Sequence, residues 1–183
     1  MTESVATYER VVGRFTDLVD AISTSQWSAP TPCAGWTVHD LLEHVIVRDR
    51  RLAATVGGPA AAEPLPADAD LTAEWHQCVN WWAHGLADPV RRDTVWDTPL
   101  GEMTFEQATT ALMTGELTIH NWDLARALGV DETLDPEAVH TTYIAMKQHS
   151  DSLRRPGVLG PQVKAPDDSD EQTQLLAFTG RVV

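Results

Sequence analysis

Between Glu3 and Thr24 the apolar residues Val5, Tyr8, Val11, Val12, Phe15, Leu18, Val19 and Ile22 fall at steps of three and four. That spacing follows the 3.6-residue turn and lays one apolar stripe along a helix. The same period returns three times. Leu41, Leu42, Val45 and Leu52 mark a second stripe, and Trp75, Val79, Trp82 and Leu86 a third. Ala108, Leu112, Ile119 and Leu124 mark a fourth. A chain patterned this way buries its stripes by packing helix on helix.

Punctuation sets the limits of these elements. The prolines of Ala29–Gly35 end the first helix, because proline fixes φ and lacks a donor. Thr37 is the expected N-cap of the second, with Asp40 three residues on, and Gly57-Gly58-Pro59 follows its end near Val56. Pro59 to Asp70 reads as a loop and Leu71 to Leu86 as the third helix, stopped by Asp88-Pro89. Thr94 to Thr104 has β-branched residues around a Pro/Gly turn and suits a short hairpin. Thr104 is placed to cap a fourth helix reaching Leu128, with Gly129 at its C-terminal end. Asp135-Pro136 suits the start of a further helix to about Ser150. Pro156 to Asp170 reads as loop and Gln172 to Phe178 as a short last helix. The expected fold class is all-α: a four-helix bundle with additional short helices and a small hairpin. At 183 residues the chain fits one domain, residues 1–183, with 156–183 as an appendage packing on the bundle.

The formal net charge of -14 argues against nucleic acid or an anionic membrane as the main partner, since both attract basic surfaces. Two cysteines, Cys33 and Cys78, do not make a disulfide framework and suit a reducing cytosol. No stretch approaches the roughly 18 apolar residues of a membrane span. The first residues show no basic-then-apolar leader pattern. A cytoplasmic protein is expected.

The segment Thr114-Gly-Glu-Leu-Thr-Ile-His120 places Glu116 and His120 one helical turn apart on one face. His44 lies within or beside the stripe of the second helix. One carboxylate and two imidazoles from two helices make a three-ligand metal site with open positions for water or substrate. This donor set suits Zn2+ best among the common choices, with Ni2+, iron and copper also compatible. Taken alone, Glu-x-x-x-His is a weak pattern that more often marks an exposed hydrogen-bonded pair than a metal site. His39 falls on another face, His76 and His84 flank tryptophans and read as solvent-edge or packing residues, and His140 and His149 read as exposed. Asp40 and Asp123 are placed to orient an imidazole. Against that, Asp40 suits the capping role better, and Asp123 could instead pair with a basic residue such as Arg126. Cys33 reads as a small buried or loop thiol.

Two runs carry a resemblance: Pro30-Thr-Pro-Cys-Ala-Gly-Trp-Thr-Val-His-Asp-Leu-Leu-Glu-His44 and Gly115-Glu-Leu-Thr-Ile-His-Asn-Trp-Asp-Leu-Ala-Arg-Ala-Leu-Gly129. With Leu159-Gly-Pro-Gln-Val and Leu175-Leu-Ala-Phe-Thr-Gly-Arg181, they resemble the actinobacterial branch of the DinB-like superfamily. That branch includes the mycothiol-dependent maleylpyruvate isomerases. The resemblance implies a four-helix bundle with a divalent metal at one end, held by His44, Glu116 and His120. It implies a thiol-dependent transferase or isomerase with mycothiol as cosubstrate, acting on an electrophilic small molecule, and a homodimer. A metal-dependent hydrolase and a non-catalytic metal-containing binding or stress-response module are the rival readings. No residue is assigned as general acid or base; the reacting group would be a metal-bound water or thiolate.

Overall fold

The computed structural model describes residues 2–59, 65–98, 101–154, 159 and 161–183. The turn of the expected hairpin and parts of the two expected loops lie outside the described residues.

Helix α1 spans Glu3–Asp20, capped by Thr2, whose hydroxyl accepts from the Val5 amide. It stops four residues before the expected Thr24. There Gln26 accepts from the amide of Ser23 at 3.1 Å and returns its own amide to the Ser23 carbonyl at 2.9 Å, which closes a turn instead. Helix α2 spans Val38–Thr55, and its capping box is the expected one: Thr37 accepts from the Asp40 amide while Asp40 accepts from the Thr37 amide. Helix α3 spans Leu71–Ala87 and is followed directly by the short α4, Pro89–Arg92. Strands β1 (Val95–Thr98) and β2 (Gly101–Thr104) form the expected antiparallel hairpin, with Trp96 opposite Met103.

The fourth long helix is continuous from Phe105 to Leu128 but not uniform. It begins as α5 (Phe105–Ala108), widens into a π segment (Thr109–Met113) and continues as α6 (Thr114–Leu128). A row spaced by four explains the π turn: Phe105, Thr109, Met113, Leu117 and Asn121 are all buried. In a plain α-helix such a row drifts by roughly 40° per step. One wider turn brings the row back toward the core. Gly129, with φ 70°, terminates α6 as expected, and the Val130 amide donates to the Ala125 carbonyl. Helix α7 (Pro136–Gln148), the single turn α8 (Ser150–Leu153) and α9 (Glu171–Phe178) complete the described elements.

Helix α1 packs on α6 and α3, while α2 packs on α3 and α6, which closes a ring of four helices around one core. The fold is all-α with a small hairpin, as expected. Trp75 stacks edge-on to Phe15 at 5.0 Å and donates its indole N–H to Thr16. Asn121 bridges α6 to α1 by donating to the Val11 carbonyl at 3.1 Å. A smaller cluster of Trp122, Leu134, Val139, Leu175 and Leu176 seats α9 against α7 and the outer side of α6. Among the described residues, no helix is long and apolar enough to cross a membrane.

Candidate metal centre

Glu116 and His120 project from one face of α6, and His44 reaches them from the facing side of α2. The Nε2 atoms of His44 and His120 each lie 3.3 Å from Glu116 Oε1. Their rings are 5.5 Å apart, centre to centre. The three residues can each offer one ligand atom within 4.8 Å of the others, so the donor set fits a divalent cation. Periodicity alone had left these side chains in unrelated helices; the α2–α6 contact brings them together.

The surroundings support this set. The second oxygen of Glu116 accepts from Arg48 Nε at 2.7 Å. Burial would raise the Glu116 carboxyl. Hydrogen bonds with His120 and His44, with the charges of His120 and Arg48, outweigh it and hold the group well below the usual carboxylate range. Glu116 is therefore an ionised carboxylate at neutral pH, as a ligand must be. Arg48 was missed in the sequence, although it stands four residues after His44 on the same helix face.

His120 is buried, and its Nδ1 lies 2.9 Å from Asp123 Oδ2. An Nδ1–H donated to this carboxylate turns Nε2 toward His44 and Glu116, where its lone pair becomes available once any proton on it is lost. Burial disfavours the imidazolium, but Asp123, Cys33 and Glu116 outweigh it and raise the His120 pKa above its ordinary value. Asp123 thus takes the orienting role. It does not pair with Arg126, which binds Glu132 instead; its cationic partner is Arg181, at 2.7 Å. Cys33 also lies here, 3.4 Å from Asp123. Its loop is tied by Thr31, whose amide donates to the Trp36 carbonyl at 2.9 Å.

Trp36, at the end of that loop, lies 4.6 Å from the His44 ring. Beside it opens a groove of about 700 Å³, lined by Trp36, Glu43, His44, Val47 and Arg51 among others. His44 joins the groove to the cluster; Glu116 and His120 lie behind it. The other histidines stand apart from this centre. His39, Asp40 and Glu43 also come close together. Asp40 is occupied by its capping box, however, and that group sits at the surface. His76 pairs with Asp20 and His140 with Glu171, while His84 and His149 are exposed.

Two histidines and a glutamate converging from two facing helices of a four-helix ring make a candidate centre of the kind that helix bundles can build in their cores. The sequence model of the mycothiol maleylpyruvate isomerase N-terminal domain matches residues 8–125. The chain belongs to that family, and the resemblance read from the motifs is borne out. Two uncharacterised proteins of Mycobacterium tuberculosis, from strains CDC 1551 / Oshkosh and ATCC 25618 / H37Rv, are each 33% identical to it over 181 residues. The alignments cover 96% of this chain and 96% of each relative. No solved structure matches the chain.

Proposed function

We propose that this chain is a cytoplasmic, divalent-metal-dependent enzyme of the thiol-dependent type, a transferase or isomerase using mycothiol. The observation that carries the reading is the meeting of His44 Nε2, His120 Nε2 and Glu116 Oε1, with His44 also lining an open groove. Those three residues would hold the metal, with Zn2+ the best match to two imidazoles and one carboxylate. A divalent cation there supplies the positive charge that favours the ionised form of a thiol brought to it. The chain's own residues do the rest. Arg48 ties down one oxygen of Glu116, so the other is presented to the cluster. Asp123 fixes the His120 tautomer. Trp36 and the charged side chains of Glu43 and Arg51 give the groove one aromatic wall and both signs of charge, which suits a polar thiol and a small electrophile. The family supports the thiol reading.

Cobalt-substituted protein tests it. Adding mycothiol should alter the cobalt absorption bands and leave those of a His120→Ala variant absent throughout. An unchanged spectrum at saturating mycothiol overturns the thiol reading and leaves the metal centre standing. Ester or amide hydrolysis without added thiol would favour the hydrolase.

A further inference from the structure

We infer that Arg181, two residues from the end of the chain, is a positioning residue of the metal centre, acting on His120 through Asp123. The inference rests on the proposed metal site and goes beyond it. Asp123 has no exposed surface. A carboxylate so buried must find its partners inside the protein. Oδ2 takes the His120 Nδ1 contact at 2.9 Å and a hydrogen bond from Arg181 Nη2 at 2.7 Å. Oδ1 takes one from Arg181 Nε at 3.1 Å. Two parallel donors from one planar guanidinium fix the plane of the carboxylate, not only its place. The carboxylate plane in turn sets the direction in which His120 presents Nε2. The weak Cys33 contact at 3.4 Å cannot replace that fork.

The local sequence explains how an arginine so far along the chain arrives here. Helix α9 ends in a Schellman motif: the Arg181 amide donates to the Leu176 carbonyl at 2.9 Å and the Gly180 amide to the Ala177 carbonyl at 3.0 Å. Gly180, with φ 89°, makes the reversal. Leu175 and Leu176 hold the helix in the small apolar cluster beside Trp122, the residue before Asp123. The guanidinium is held in turn, since Nη1 donates to the Thr179 carbonyl at 3.0 Å. His44, Glu116, His120 and Asp123 all lie within the family match at 8–125, whereas Arg181 lies 58 residues past Asp123 and outside it. The support of His120 is thus completed by a segment that lies beyond the matched residues 8–125.

Arg126 supplies an internal control. It also binds the last residues, donating to the Val182 carbonyl at 2.9 Å, but its carboxylate partner is Glu132. Its removal should loosen the C-terminal segment, and both donors of the Asp123 fork remain on Arg181.

The full chain should be titrated with Zn2+ against a chromophoric chelator as wild type, Arg181→Met, Arg181→Lys and Arg126→Met. Loss of such a supporting partner typically weakens metal affinity about 10–100-fold. Arg181→Met should show that loss. Arg181→Lys should recover part of it, since it keeps the charge without the fork, and Arg126→Met should match the wild type. Because coupling between sites is reciprocal, Zn2+ should also slow hydrogen exchange of the amides at 176–181 in the wild type. Equal affinity of folded Arg181→Met and wild type overturns the inference. Should Arg181→Met fail to fold, exchange at 176–181 that ignores Zn2+ in the wild type overturns it equally. A wild-type chain that takes up no Zn2+ overturns the metal site itself, and this inference with it. A chain that binds Zn2+ with the Arg181 dependence but ignores mycothiol upholds it.

Discussion

Asp49 shows what one carboxylate costs when burial outweighs the partners that answer it. It sits on α2 at 2% exposure, in the sector of Leu41, Leu42 and Val45, and accepts from the Trp82 indole at 2.7 Å. Burial pushes its carboxyl up to about 6, against the lowering effects of Cys78, Trp82 and Arg50. The folded-state pKa lies above the unfolded value, so the folded chain binds the proton more tightly. Stability therefore falls as pH rises through the window from about 4 to about 6 and stays reduced above it. At 1.36 kcal/mol per pKa unit the charge costs on the order of 2–3 kcal/mol at neutral pH. Asp49→Asn keeps an acceptor for Trp82 and removes the charge. It should raise Tm by about 5 °C or more at pH 7.5 and gain less at pH 4.5; an equal or lower Tm at pH 7.5 would show that the charge is not the burden. His120 works in the opposite sense for metal uptake. Its raised pKa favours a proton on the metal-free imidazole, which the metal must displace. Zn2+ affinity should increase with pH through the neutral range. Calorimetry in buffers of different ionisation enthalpy should find about one proton released per metal, and none released would show a neutral His120. Of these groups, Glu116 and His120 were legible from their four-residue spacing, and His44 from its helix stripe. Asp49 could have been found as an acid at an apolar stripe position. Arg181 and Cys33 could not, because contacts 58 and 90 residues long leave no periodic trace.

At the scale of elements, caps carried most of the legible information. Thr37, Thr104, Asp135 and Gly129 end or begin helices where the sequence placed them, because each satisfies orphan backbone groups through its own side chain or φ. The π segment was not legible. Its cause is the demand of the core for a four-spaced row, and propensity does not encode that. Gly85 raises the same issue in sharper form. Helix propensity alone would make Gly85→Ala stabilising by about 1 kcal/mol. Packing says the reverse, since a Cβ there would collide with the Phe105 ring. That ring has little room to yield: it is fully buried, with Trp82 at 5.2 Å, Trp81 at 5.5 Å and the Arg91 guanidinium at 4.7 Å. Overpacking of this kind typically costs 1–3 kcal/mol. Gly85→Ala should therefore lower the denaturant midpoint without changing the slope. A higher midpoint would mean that the Phe105 ring shifts freely and that α5 is not pinned by α3.

For the whole molecule, the proposed site is a cross-link between facing helices, since His44 comes from α2 while Glu116 and His120 come from α6. The unfolded chain separates His44 from Glu116 by 72 residues and cannot present the set cheaply. Metal should thus bind the folded state selectively and stabilise it by mass action, by about 2.7 kcal/mol at a free concentration of 100 Kd. For a chain of this size that corresponds to a Tm increase of about 5–10 °C. The net charge of -14 offers a competing explanation, because any divalent cation relieves repulsion among surface carboxylates. His44→Ala separates the two. The His44 side chain is 37% exposed, so its removal leaves a small cavity and should shift the metal-free Tm little. It should abolish the Zn2+ shift if the cluster is the site. Mg2+ at the same concentration, poorly matched to imidazole, should give little shift in either protein. An equal Zn2+ shift in wild type and His44→Ala would place the cation on the acidic surface and remove α2 from the site.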